Sequence, residues 1–298
     1  MNSQAFILVL VAGLIHALWN IVAKKAGGDS RFACFTNLLT MLVWAPVGIY
    51  FGWQVVPGWG WREWGFIAVS GVVHVIYFVT LLRGYRKSDL TVVYPVARGS
   101  GPLISSVAAL FLLDEKLTVS GWLGIISVVV GVMLIAGGPG LIRSVLRGGQ
   151  DDAKRTLIRN GIYYGLITGV FVAAYTVIDG YAVKVILISP MLIYYFCNFF
   201  QIAILVPTLW RHTGDTIRLW KAQWKYALVV AGVSPLSYIL VLLAMQSAPL
   251  SHVAPAREVS MLFAALIGGH LLGEGDRMIR LLGAVMIGAG VIVLGLSS

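Results

Sequence analysis

Charge is scarce in this 298-residue chain: only 11% of its residues are Asp, Glu, Lys or Arg, against 59% that are apolar. A soluble domain carries roughly 25% charged residues, so there is too little charge to coat a water-facing surface, and a soluble globular class is excluded. The chain reads as a membrane protein with the lipid bilayer as its surroundings. Cysteine is nearly absent too. Cys34 and Cys197 lie in separate apolar segments with no CxxC and no Cys/His cluster, which excludes a zinc site and a disulfide framework; neither metal nor cofactor is expected. GxxxxGK[ST], HExxH and GxSxG strings are missing, which removes a P-loop, a zincin and a nucleophile elbow. Met1 to Phe6 contain no Lys or Arg, and the apolar run behind them continues past signal-peptide length towards Lys24. A cleaved signal peptide is therefore not expected.

What is present is a series of long apolar stretches. Read between charge clusters and breakers, they fall at 4–23, 32–52, 64–82, 90–112, 119–138, 161–181, 188–210, 226–246, 250–272 and 279–297. Each is close to the length of about 20 residues that crosses a bilayer as a helix. Backbone satisfaction in lipid permits helices or a closed barrel, and continuous apolar runs do not alternate as barrel strands do. An all-α polytopic membrane protein with ten transmembrane helices is the expected fold.

The formal charge of +10 would suggest nucleic acid in a soluble protein. Here its placement reports orientation instead, and no nucleic-acid partner is expected. Alternate connections hold Lys24, Lys25, Arg31, Arg83, Arg86, Lys87, Arg143, Arg147, Lys154, Arg155, Arg159, Arg211, Arg218, Lys221, Lys225, Arg277 and Arg280, 17 in all. The opposite connections hold three, Arg62, Lys116 and Lys184. By the positive-inside rule the 17 are expected in the cytoplasm and both termini outside. Two basic residues remain, Arg98 and Arg257, and both fall inside expected spans.

The two halves of the chain match in order. Gly13–Ala23 (GLIHALWNIVA) lies against Gly169–Asp179 (GVFVAAYTVID), placing Trp19 over Tyr175. Gly71–Leu82 lies against Gly232–Leu243, placing Tyr77 over Tyr238 and His74 over Pro235. LTVVYPVARG matches LSHVAPAREV, so that Arg98 stands 17 residues before Glu115 and Arg257 stands 17 before Glu274; Gly124 and Gly131 match Gly283 and Gly290. Duplication explains a run of matches in one order. It divides the chain into a first five-helix repeat (1–140), a cytoplasmic linker (141–160) and a second five-helix repeat (161–298). Five is odd, so the second copy is expected to enter the membrane inverted, an arrangement found in secondary transporters, where a midplane site is exposed alternately to each face.

HALWN in the first span, YPVARG in the fourth and the LLDEKLT and LLGEGDR ends before Gly-rich fifth and tenth spans give the chain its resemblance to the drug/metabolite transporter superfamily, in particular its ten-span bacterial EamA-like group. The resemblance covers nearly the whole chain. It implies a gradient-driven exporter of small metabolites or amino acids, with a cavity lined by the first, third, fourth and ninth spans and their repeat mates. HALWN is also similar to a string in EamA-like proteins encoded beside phosphonate-utilisation genes. The second copy has AAYT in place of HALWN, so the cavity is expected to be asymmetric.

Ionisable groups inside spans are costly and face a cavity or a partner. Tyr94, Arg98, Gly101 and Ser105 form one helical stripe, and Arg98 either grips a carboxylate or phosphonate bidentately or pairs structurally with Glu258. Arg257 and Glu258 are adjacent, hence roughly 100° apart on a regular helix, and only one of them can face a cavity squarely. Glu258, Asp179 and His252 are the candidates for proton coupling or gating. For Glu258 a permanent salt bridge is the alternative, and for His252 a headgroup-level position. His16 and Asn20 share a face with Trp19 beside it; they hold substrate or bond across to other helices. Ser70, His74 and Tyr77 form a similar stripe on the third span, with Tyr238 as the repeat mate of Tyr77; Tyr175, the mate of Trp19, lies one turn from Asp179 on the sixth span. Gly161, Gly165 and Gly169, four apart, form a packing face or a dimer contact, so a monomer or a homodimer is expected. Glu115 and Glu274 are expected to organise turns and helix starts.

A secondary transporter exporting a small zwitterionic or anionic metabolite, such as an amino acid, is the leading expectation, and no enzymatic activity is expected. The alternative is an intramembrane enzyme acting on a lipid-linked substrate, for which the clustered acids that metal and phosphate chemistry require are lacking outside Asp151 and Asp152 in the linker.

Overall fold

The computed structural model describes residues 1–27, 29–88, 90–137, 152–210, 213–269 and 277–297. Among these residues every regular element is helical: α1 (Ser3–Ala26), α2 (Ser30–Val43), α3 (Ala45–Gly52), α4 (Trp61–Lys87), α5 (Leu90–Leu112), α6 (Val119–Ile135), α7 (Asp152–Lys184), α8 (Pro190–Trp210), α9 (Thr213–Ser247), α10 (Leu250–Ala256), α11 (Val259–Gly269) and α12 (Arg277–Leu296), with one 3-10 turn at Val56–Gly58. Eight spans pass on length and composition alone, α10 and α11 counting as one; α2 and α3, bent by 55° to each other, make a ninth. The shorter apolar helix α6 covers the one remaining expected stretch, 119–138, and brings the total to ten.

Several boundaries differ from expectation for local reasons. The second span bends at Trp44 because Pro46, in the first turn of α3, has no N–H with which to continue the ladder. The ninth span is broken at Arg257 and Glu258 rather than running unbroken to 272. The sixth and eighth spans sit in longer helices than the apolar stretches alone: α7 begins at Asp152, not 161, and α9 at Thr213, not 226. The added residues are helix-forming and charged, so they continue the helix into water. Most of the 141–160 linker, Asp151 and Glu274 lie outside the described residues.

The packing maps onto itself when the two halves are exchanged. α1 packs on α9 as α4 packs on α7; α1 packs on α11 as α5 packs on α7; α2 packs on α9 as α4 packs on α8. The repeat mates α6 and α12 pack on each other, as do α2 and α8. At the α6–α12 crossing the backbones touch: a Cβ on Gly131 would lie 2.6 Å from the Gly283 carbonyl oxygen, and one on Gly290 would lie 2.7 Å from that of Gly124. Gly161, Gly165 and Gly169 press against α5 of the same chain, where a Cβ on Gly165 would lie 3.0 Å from the Val93 carbonyl oxygen. That stripe is a packing face within the chain.

At one end of the bundle, Glu115, in the connection between α5 and α6, joins three elements. Its Oε1 accepts from the Leu250 N–H at 2.7 Å and from Lys184 Nζ at 2.9 Å, and its Oε2 accepts from the Ser251 N–H at 2.9 Å. It thereby caps α10. Burial pushes the Glu115 carboxyl up, but the bonds from Ser251, Lys184 and Leu250 outweigh it and hold the group below the ordinary glutamate value.

Candidate functional site

Two cavities lie side by side inside the bundle. The first, about 280 Å³, is lined by α1, α4, α5, α7, α9 and the broken α10–α11 segment. The second, about 410 Å³, is lined by α1, α2, α4, α7, α8 and α9. His16, Trp19, Tyr77, Tyr175, Ser237 and Tyr238 border both and form the wall between them. Trp19 and Tyr175 are repeat mates, and so are Tyr77 and Tyr238.

Charge is concentrated in the first cavity. Glu258 is 1% exposed and sits between two guanidinium groups: its Oε2 lies 3.0 Å from Arg98 Nη2 and its Oε1 lies 3.6 Å from Arg257 Nε. Neither Glu258 Oε2 nor Arg98 Nε completes an aligned hydrogen bond. Both arginines also meet aromatic rings, Arg98 that of Tyr94 and Arg257 that of Tyr175, each 5.9 Å from the ring centroid. Weaker polar contacts run from Arg98 to the Ser260 hydroxyl and from Arg257 to that of Tyr175, both 3.5 Å.

The break in the ninth span makes this arrangement possible. α10 ends at Ala256, the Glu258 N–H bonds back to the Pro255 carbonyl (3.0 Å), and the Ser260 and Met261 N–H groups bond to the carbonyls of Arg257 (3.2 Å) and Glu258 (2.8 Å). These tight steps replace the α-helical ladder, so the 100° rule for neighbours on a regular helix does not hold here. Arg257 and Glu258 both line the first cavity.

The dividing wall is aromatic. The His74 ring stacks on Tyr175 at 4.0 Å and meets Tyr238 edge-on at 6.0 Å; Tyr77 meets Tyr175 at 5.6 Å. Ser237 Oγ lies 3.4 Å from Trp19 Nε1 and 3.5 Å from His16 Nδ1, which links α9 to α1. Asn20 lines the first cavity, though its Nδ2 donates to the His16 carbonyl on its own helix at 2.7 Å. Asp179 lies in the second cavity, where its Oδ2 accepts from the Tyr238 hydroxyl. Of the residues named from sequence for binding, proton coupling or gating, His252 is the one that lines neither cavity; it is buried on α10 with its Nδ1 3.3 Å from Ser251 Oγ. Among the described residues no three His, Cys, Asp or Glu side chains gather as a metal site.

Sequence reasoning missed the contribution of the second and seventh spans. Asn37 on α2 donates to Gln201 on α8 at 3.1 Å, and both line the second cavity with Asn198. The available signal was three amide side chains inside apolar stretches, each needing a hydrogen-bonding partner away from lipid.

A model of the EamA-like transporter family matches residues 3–137 and again 159–296, one match per half. The chain belongs to the EamA-like transporter family. It is a multi-pass membrane protein and a transporter, as that membership entails. A similar protein is an uncharacterized transporter in the cobO 3' region of a Sinorhizobium species, 29% identical over 134 residues, spanning 43% of this chain and 92% of that one. The fold of this EamA-like chain also matches a crystal structure described only as that of a protein, with a TM-score of 0.74 and 15% identity over 99% of this chain and 98% of the other. That likeness concerns the fold alone.

Proposed function

We propose that this EamA-like protein is a gradient-driven secondary transporter that exports a small anionic or zwitterionic metabolite, such as an amino acid, by alternating access between two inverted repeats. The observation that carries the reading is the first cavity: Arg98 from one half and Arg257 from the other flank a single carboxylate there, leaving a positive excess for an anionic group of the cargo. A guanidinium offers paired donors that match a carboxylate or phosphonate. His16, Trp19, Asn20, Tyr77, Tyr94, Tyr175 and Tyr238 complete the contact surface, with His74 behind Tyr175. Glu258 acts as the exchangeable partner of Arg98: cargo displaces it, and protonation releases it.

The test is flux of labelled amino acids, organic acids and aminophosphonates into proteoliposomes, with and without a pH gradient. Arg98→Lys keeps the charge but loses the fork and is expected to weaken transport about tenfold, while Arg147→Lys in the linker leaves it unchanged. Absence of flux across the panel, or equal effects of the two substitutions, sinks the reading. The same reading places the protein in the bacterial inner membrane as a monomer or homodimer, with 17 basic residues on the cytoplasmic side and both termini outside. A reporter fused after Ser298 is expected to read outside, and a cytoplasmic signal would overturn that orientation.

A further inference from the structure

We propose that the second cavity is a site for one compact cation, held by Asp179. The two cavities differ in sign. Arg98, Arg257 and Glu258 give the first a positive excess. The second is lined by Asp29 and Asp179, by the imidazoles of His16 and His74 and, among the described residues, by no Lys or Arg. Asp29 is already answered: it caps α2 and pairs with Arg31 at 2.8 Å. Asp179 is less fully answered: it is 1% exposed, its Oδ2 accepts from Tyr238, and its Oδ1 completes no aligned hydrogen bond, although Ser70 and the titratable imidazole of His74 stand beside it.

A buried carboxylate oxygen without a donor carries a large desolvation penalty, and an acid inside the membrane faces a partner or a pathway. Arg257, the nearest candidate from the first cavity, is engaged with Glu258 and the Tyr175 hydroxyl on the other side of the wall. The surroundings of Asp179 suit a small cation. The rings of Tyr175, Tyr194 and Tyr238 line the same cavity and offer π faces, and Asn198, Gln201 and Ser234 offer oxygens. The cation has two possible sources, an amine on the cargo or a free alkali ion, and both present the same chemistry to Asp179. With the anionic group of the cargo at Arg98 and Arg257, an amine source makes the cargo a zwitterion that bridges the aromatic wall.

The proposal rests on the transport reading above, yet its readout is binding. A cation response without flux would sink only the transport reading, and flux without a cation response would sink only this one. Purified full-length protein is titrated in detergent with methylammonium chloride and, separately, sodium chloride, at constant ionic strength balanced by N-methylglucamine. The unfolding midpoint and tryptophan fluorescence are read together, since Trp19 borders both cavities. A saturable response is expected. Methylammonium alone assigns the site to an amine, and sodium alone assigns it to a free ion. Asp179→Asn is expected to raise the half-saturating concentration at least about tenfold, while Asp215→Asn, at an exposed helix end, responds like the native protein. Should Asp179→Asn fail to fold, Tyr238→Phe keeps the carboxylate but removes its donor and is expected to move the half-saturating concentration about threefold. No response to either cation in the native protein overturns the proposal. So does an Asp179→Asn protein that elutes as one species and responds as the native one does, or, in its place, an unchanged response in Tyr238→Phe.

Discussion

Glu258→Gln is expected to destabilise the folded protein by about 3–5 kcal/mol, the cost of removing one partner from a buried ion pair. Glu258 is the one carboxylate among the described residues that lines the first cavity, and two guanidinium groups flank it. Amide replacement keeps the shape and leaves Arg98 and Arg257 facing each other without a counter-charge in a low-dielectric interior. Adding Arg98→Met removes the repulsion, so the double variant is expected to be more stable than Glu258→Gln alone, although Arg257 stays unpaired. Thermal unfolding in detergent micelles measures both. An unchanged midpoint for Glu258→Gln would mean that water reaches the three charges freely and that their burial does not place them in a low-dielectric interior.

A comparable loss is expected from Gly131→Leu. At that position even a Cβ would lie 2.6 Å from the Gly283 carbonyl oxygen and 2.8 Å from the Ile287 nitrogen, and these are backbone atoms that cannot swing aside. The side chain has to push α6 away from α12, and overpacking of this kind costs about 1–3 kcal/mol or more. Gly232 is the contrast, because nothing lies within 4 Å of a Cβ built there. Gly232→Ala is expected to be neutral or slightly stabilising, by up to about 1 kcal/mol, since alanine is the better helix former. Equal melting midpoints for Gly131→Leu and the native protein would show that the close α6–α12 crossing is not needed for stability.

The elements legible in the sequence were those set by one-dimensional signals. Runs of apolar residues marked the spans, and matched strings such as those carrying Arg98 and Arg257 marked the repeat. A stripe on a helix, however, says which residues share a face and not what that face meets. The pairing of Asn37 with Gln201 depends on α2 and α8 being neighbours across more than 160 residues of chain, as their separation of 164 positions shows. The ninth span misled for a local reason: composition is apolar on both sides of Arg257, and only the backbone bonds reveal that the helix stops and restarts. Pro255 precedes that break, whereas its mate Pro95 sits within an unbroken α5, so the same residue type carries different consequences in different packing. His252 is buried beside the Glu115 cap, its Nδ1 3.3 Å from Ser251 Oγ, and its short distance along the chain from a span end gave no sign of that burial.

The shortness of α6 bears on the lipid rather than on the cargo. Its 17 residues rise about 26 Å, against a hydrocarbon thickness of about 30 Å. Its glycine-to-glycine contact with α12 prevents it from sliding to share the deficit. A shortfall of about 4 Å is of the size that a bilayer meets by thinning beside a helix, at a fraction of a kcal/mol per Å.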